Sequence, residues 1–278
     1  MLTTFVNCRQ VATSAVAGLT FVLAACSDSP RDASPNATPE WHYEGAEGPA
    51  HWASLSPTFA ACGEGQHQSP IDITQATPAA TPELRTSFPP AELRIAHHGH
   101  IADGLNNGHT IQINYPDAET LNLGGTAYEL VQYHFHGPSE HTVDGKHFPM
   151  EMHLVHKSAG DKLAVVGVFI AEGAHNKAFD PVWANLPGQK GVETHYSDVT
   201  VDVDALLPNA RTSYRYDGSL TTPPCSEGVS WIVMTTPIEL SREQLSAFTH
   251  VINDNSRPVQ KLNGRMILTD SVTIAAER

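Results

Sequence analysis

The chain has 278 residues, 40% of them hydrophobic and 17% charged, enough for one large domain with a substantial core. Thirty Asp and Glu against sixteen Lys and Arg give a net charge of −14, which excludes the basic face that phosphate backbones require; nucleic acid is not an expected partner. Sixteen histidines is a high count, and only their spacing can say which of them are ligands.

Residues 1–25 read as an export signal. Arg9 supplies positive charge, and Val11 to Ala25 is an uncharged, largely apolar run too short to span a bilayer comfortably. The run ends in Leu23-Ala24-Ala25-Cys26, which resembles a bacterial lipobox whose cysteine is acylated and becomes the new N-terminus. The alternative is an ordinary signal with an incidental Cys26. Residues 26–40 carry Pro30, Pro35 and Pro39 among small polar residues and read as a lipid attachment point and disordered tether. The expected location is the periplasm or cell envelope, with membrane contact through the N-terminal lipid only. Cys8 leaves with the signal and Cys26 takes the lipid, so Cys62 and Cys225 remain as one candidate disulfide in an oxidising compartment.

Residues 41–278 read as a single domain without linker, repeat or charge block. The segment from Ala76 to Glu92, with Pro78, Pro82, Pro89 and Pro90, predicts a surface loop. Short apolar or alternating runs follow, at His109 to Tyr115, Glu129 to His136, Glu151 to His156, Leu163 to Ile170, Val199 to Val203 and Val229 to Met234. Gly, Pro, Asn and Asp separate them, a β-rich pattern. Leu163 to Ile170 is apolar on both faces and predicts a strand buried on both sides. A short helix is expected between Asn176 and Asn185. Another is expected from Arg242 to Ile252, opened by a capping box of Ser241 and Gln244.

In Gln132-Tyr133-His134-Phe135-His136, alternation puts Gln132, His134 and His136 on one face. Imidazoles two residues apart stand roughly 6.6 Å apart along a strand. They can lean together onto one ion with bonds of about 2.0–2.1 Å. Glu151-Met152-His153-Leu154-Val155-His156, taken as the adjacent antiparallel strand, puts Glu151, His153 and Val155 on that same face. Three nitrogen donors with the fourth tetrahedral position open are the donor set of a catalytic zinc, not a structural one. Gln132 and Glu151, each two residues from a ligand, can take the second ring N–H and fix the tautomer.

The six ordered segments Gln68 to Ile73, Asn106 to His109, Gln132 to His136 with Ser139 to Asp144, Glu151 to His156, Gly218 to Cys225 and Asn255 to Gln260 together resemble the α-carbonic anhydrase family, in its bacterial, exported form. The resemblance spans Trp41 to about Arg265. It implies a mainly β, α+β single domain around a large, mostly antiparallel central sheet, and reversible hydration of carbon dioxide to bicarbonate and a proton by zinc-bound hydroxide. It implies His134, His136 and His153 as zinc ligands, with Gln132, Glu151 and the backbone of Asn255 holding them. Thr221 would orient the hydroxide and donate to Glu140; Thr222 would line the pocket and Tyr43 would order water. His109 would shuttle the proton to buffer, and Val155, Val165, Leu220, Val229 and Trp231 would form the apolar wall where carbon dioxide rests. Cys62 and Cys225 match the family's disulfide, and Ser69-Pro70 and Pro223-Pro224 stand where the family has cis peptide bonds. The turn Gly137-Pro138-Ser139 is shorter than in many animal members and lacks their aromatic, which alters the pocket rim. His97, His98, His100 and His141 receive no task and are expected at the surface. A zinc hydrolase of acyl compounds and a non-enzymatic binding module are the rival readings; the oligomeric state stays open, a dimer included.

Overall fold

The computed structural model describes residues 39–81, 84–96, 109–116, 119–188 and 193–270, so the signal, the lipid site at Cys26, His97, His98, His100 and Asn106 to Gly108 lie outside the described residues. Eight strands carry the sheet that matters for the site: β1 (Ala91–Ala96), β2 (Gln112–Asn114), β3 (Thr126–His136), β4 (Met150–Ser158), β5 (Leu163–Glu172), β6 (Glu193–Val201), β7 (Ser213–Ser219) and β8 (Glu227–Met234). Their spatial order is β6-β1-β2-β3-β4-β5-β8-β7, extended by Leu268–Asp270 and Thr77–Ala79. Pairing is antiparallel from β6 to β5, and β8 then runs parallel to β5, with Val165 beside Trp231. This is the mainly β architecture around a large, mostly antiparallel central sheet that the resemblance implies.

Alternation gives the sheet two different faces. One carries Tyr133, Phe135, Met152, Leu154, Val166, Val168, Ile232 and Met234, which join the larger core with Leu245 and Phe248 of the helix Arg242–Thr249. The other carries the expected ligand histidines and a smaller cluster containing Val155, Val165, Phe169, Val229 and Trp231. β5 is buried continuously from Ala164 to Ile170, as a run without a polar face requires. A third cluster, formed by Trp41, Trp52 and Phe59, packs around the disulfide between Cys62 and Cys225. No helix among the described residues is long and apolar enough to cross a membrane.

Four expectations are corrected. Ala76 to Glu92 is not one loop, because Thr77–Ala79 and Leu84–Thr86 are strands and β1 begins at Ala91. Pro78 is tolerated because Thr77–Ala79 lies at the end of the sheet and pairs with Leu268–Asp270 only, where a missing N–H costs no ladder bond. The helix opened by Ser241 has both halves of its capping box but ends at Thr249, three residues early; Ile252 still bonds back to Phe248. Between Asn176 and Asn185 the chain makes a 3-10 turn, Lys177–Phe179, before the single helical turn Asp180–Trp183. The run at Val199 to Val203 leaves β6 after Val201, since the Asp202 carboxylate accepts from the amides of Asp204 and Ala205 and turns the chain.

Candidate metal centre and active site

The register of β3 on β4 sets His134 directly opposite His153. Residue alternation brings His136 to the same face, and one ring nitrogen from each of the three histidines lies within 4.8 Å of the others. All three rings are buried. Each ring is held at its other nitrogen. His134 Nδ1 meets Gln132 Oε1 at 2.8 Å, His136 Nδ1 meets the carbonyl of Asn255 at 2.8 Å, and His153 Nε2 meets Glu151 Oε1 at 3.0 Å. Acceptors of three kinds therefore require an N–H on the outer side of each ring and leave a lone pair on the inner side, as metal ligation demands. Burial pushes the His136 imidazole pKa down, against an opposing pull from Glu140, which favours the neutral ring a cation needs.

The Glu151 carboxylate is itself gripped. His141 donates to it twice, from its backbone N–H at 2.8 Å and from ring Nδ1 at 2.8 Å. Burial pushes Glu151 up, but His141 and His153 outweigh it and hold the carboxyl well below the usual carboxylate range. With Nδ1 as donor, His141 Nε2 accepts from the Tyr216 hydroxyl at 2.6 Å, and Tyr216 meets Ser69 Oγ at 2.9 Å. His141 is thus fully buried, and the expectation of a surface histidine is wrong. Its place depends on β7 and on the loop at Ser69, neither of which its own neighbours in sequence reveal. His141, Glu151 and His153 also cluster closely, but their contacts are those of a hydrogen-bonded carboxylate.

Asn255 does more than lend its carbonyl. Its amide donates to the carbonyls of His109 (3.0 Å) and Phe135 (2.9 Å) and accepts from the N–H of Gly137 at 2.8 Å, locking the end of β3 against the residue preceding Thr110. Glu140 Oε1 accepts from the backbone N–H of Arg257 at 2.9 Å. Its Oε2 is turned toward the histidines, 3.5 Å from His136 Nε2 and 3.8 Å from His153 Nδ1. That orientation leaves no hydrogen bond between Glu140 and Thr221 among the described residues, contrary to the bond the resemblance implies. Arg257, which the motif reading gave no role, is buried and donates to the carbonyls of Ser69 (2.7 Å) and Cys62 (2.8 Å), tying the site to the disulfide. The signal available was its place in the late motif, two residues after Asn255.

The remaining expected residues gather around this centre. Val155, Val165, Val229 and Trp231 are buried together with Leu220 packed against them, and the Trp231 ring stands 4.9 Å from that of His153. Thr221 and Thr222 are buried in the loop between β7 and β8, which Cys225 ties to Cys62. Both expected cis bonds, Ser69-Pro70 and Pro223-Pro224, are cis, and Gly137-Pro138 is cis as well. His109 is buried against Trp41 at a ring separation of 3.7 Å, with Tyr43 at 5.7 Å.

Fold and cluster together define a β protein equipped to hold a metal ion on three imidazoles. The family described as eukaryotic-type carbonic anhydrase matches residues 47–271. The carbonic anhydrase of Klebsiella pneumoniae is 45% identical over 235 residues, covering 82% of this chain and 90% of that protein. The solved α-carbonic anhydrase of Thermovibrio ammonificans in complex with sulfanilamide superposes with a TM-score of 0.77 at 41% identity, over 84% of this chain and all of that one. Dioscorin complexed with ascorbate has a similar fold, with a TM-score of 0.74 at 30% identity, over 83% of this chain and 98% of that one. The chain belongs to the α-carbonic anhydrase family and is an enzyme of that kind.

Proposed function

We propose that this enzyme catalyses the reversible hydration of carbon dioxide to bicarbonate and a proton, using Zn2+ held by His134, His136 and His153. The observation that carries the reading is the convergence of three imidazole nitrogens, each ring oriented from behind by a separate acceptor. Zinc bound there supplies a Lewis acid that acidifies water into a hydroxide nucleophile near neutral pH, an effect for which carbonic anhydrases are themselves the reference case.

The chain's own residues supply the rest. Gln132, Glu151 and Asn255 keep the three rings aimed through their outer nitrogens. Glu140 presents Oε2 beside the cluster, where it can accept a hydrogen bond, and Thr221 would orient the nucleophile. Val155, Val165, Leu220, Val229 and Trp231 give a neutral, weakly polar substrate a dry wall and no charged clamp. Thr222 and Tyr43 order water at the pocket, and His109 takes the released proton, a task suited to an imidazole, which can both accept and release one.

Neither rival gains an observation. A binding role on the same fold, as the similarity to dioscorin allows, would tolerate loss of a ligand histidine, and all three are present. Stopped-flow hydration of carbon dioxide with zinc stoichiometry tests the proposal. One zinc per chain with fast turnover is expected, and His134→Ala loses both. Full turnover in His134→Ala, or an esterase rate that exceeds hydration, sinks it. The same proposal extends to an exported chain anchored through Cys26. Palmitate labelling of the wild type that disappears in Cys26→Ser is the expected result, and an unlabelled wild type leaves an ordinary cleaved signal.

A further inference from the structure

We infer that His42 is a second relay imidazole, which takes the proton from His109 and delivers it to bulk buffer; the inference rests on the reading of His109 as the shuttle. His109 is 5% exposed and lies against Trp41, so in this position it meets few buffer molecules. His42 follows that tryptophan in the chain and meets His109 edge-on, with ring centroids 5.6 Å apart and planes at 86°. It reaches solvent, with 42% of its side chain exposed.

The placement is built. The His42 backbone N–H donates to the Glu47 carbonyl at 2.9 Å, and its own carbonyl accepts from the buried Trp52 indole at 2.9 Å. Both backbone groups of His42 are therefore engaged, the carbonyl by a tryptophan of the packed cluster and the N–H by a carbonyl that the same indole also meets. His42 Nε2 stands 3.4 Å from the Glu40 carboxylate, which holds the outer ring at the surface. Tyr43, whose ring lies 5.7 Å from that of His109, does not compete as an acceptor. Burial, and then the Glu140 charge, push its phenol well above its ordinary value, and it stays protonated.

The step balances without a co-reactant. The His109 imidazolium passes its proton to the neutral ring of His42, directly or across one bridging water, and becomes neutral again. The His42 imidazolium then protonates a buffer base, so one proton leaves for each carbon dioxide hydrated.

The test is carbon dioxide hydration by the full chain in weak and in strong buffer, for the wild type, His42→Ala, His42→Gln, His109→Ala and the double variant His42→Ala/His109→Ala. Loss of His42 by either substitution is expected to lower kcat in weak buffer roughly tenfold, below the usual contribution of a positioned proton-transfer group because buffer still reaches His109 slowly. kcat/KM stays at the wild-type value, since carbon dioxide is consumed before the proton is exported. Added imidazole restores kcat, and removing His42 from His109→Ala costs nothing more. Unchanged kcat in weak buffer overturns the relay. A further equal loss in the double variant overturns the serial order, and a fall in kcat/KM shows that His42 is merely structural. If His109→Ala itself is not slowed, the shuttle reading fails first and the relay falls with it.

Discussion

At His156 the sheet buries an imidazole that the metal centre does not use. The residue is on β4 but on the opposite face from His153, 5.9 Å from the Phe88 ring, with Nδ1 on the Leu154 carbonyl at 2.9 Å. Burial pushes its pKa down to about 4. The unfolded chain takes up a proton near the ordinary histidine value of about 6.5, which the folded ring refuses until about pH 4. Stability is therefore full above that upper value, falls as pH drops through the window and levels off below it. The loss amounts to about 3 kcal/mol, from a difference of two to three pH units at 1.36 kcal/mol each. His156→Leu should flatten the pH dependence of the unfolding midpoint across that window relative to the wild type. Parallel curves for the two proteins would show that His156 is not a source of acid lability. The same residue scale holds the features that sequence reading misses. His141 is 10 residues from Glu151 and 75 from Tyr216, and it becomes a buried bridge only when β7 arrives.

At the scale of elements, the site depends on how closely β5 approaches β4. Gly167 stands opposite His153, and a Cβ there would lie 3.0 Å from Glu151 Oε1 and 3.5 Å from a Val233 methyl. The carboxylate cannot retreat easily, because His141 and His153 hold it from two sides. Gly167→Ala should therefore disturb the orientation of His153 and weaken zinc binding about 10- to 100-fold, the usual consequence of disturbing a partner of a ligand. Competition with a chelator measures this, with far-ultraviolet circular dichroism confirming that the sheet persists. Wild-type zinc affinity would mean that the Glu151 carboxylate has room to shift. The strand pair also explains why the ligand motif was readable. Two-residue periodicity is local, so Gln132, His134 and His136 share a face wherever β3 lies, and likewise Glu151 and His153 on β4.

At the scale of the molecule, the disulfide joins residues 163 apart in sequence. It ties the tryptophan cluster to the loop that carries Thr221, and Arg257 fastens the same point by donating to the Cys62 carbonyl. Closing so long a loop restricts the unfolded chain, so Cys62→Ser with Cys225→Ser should cost about 2–5 kcal/mol. Urea denaturation of the oxidised wild type, the reduced wild type and the double variant measures it. Equal midpoints for all three would assign the bridge no stabilising role. Counting made this pair a candidate, once Cys8 is assigned to a signal and Cys26 to a lipid as expectations. Its position beside the Thr221 loop was readable only through the family resemblance.

Local chemistry in the chain was enough to specify the alternating strands, the doubly apolar β5, the capped start of the helix at Ser241 and the two halves of the three-histidine set. Each of these depends on neighbours one to four residues away, where backbone geometry alone decides which side chains share a face. The tertiary structure decided what depends on distant partners. It set the register of β3 on β4, turned Ala76 to Glu92 from a loop into short strands and the start of β1, buried His141 and made Asn255 and Arg257 clamps. The burial of His141 and the clamps at Asn255 and Arg257 turn on contacts across 75 to 195 residues. Which buried polar group meets which is settled there by packing and hydrogen-bond satisfaction across the whole domain, not by the residues on either side.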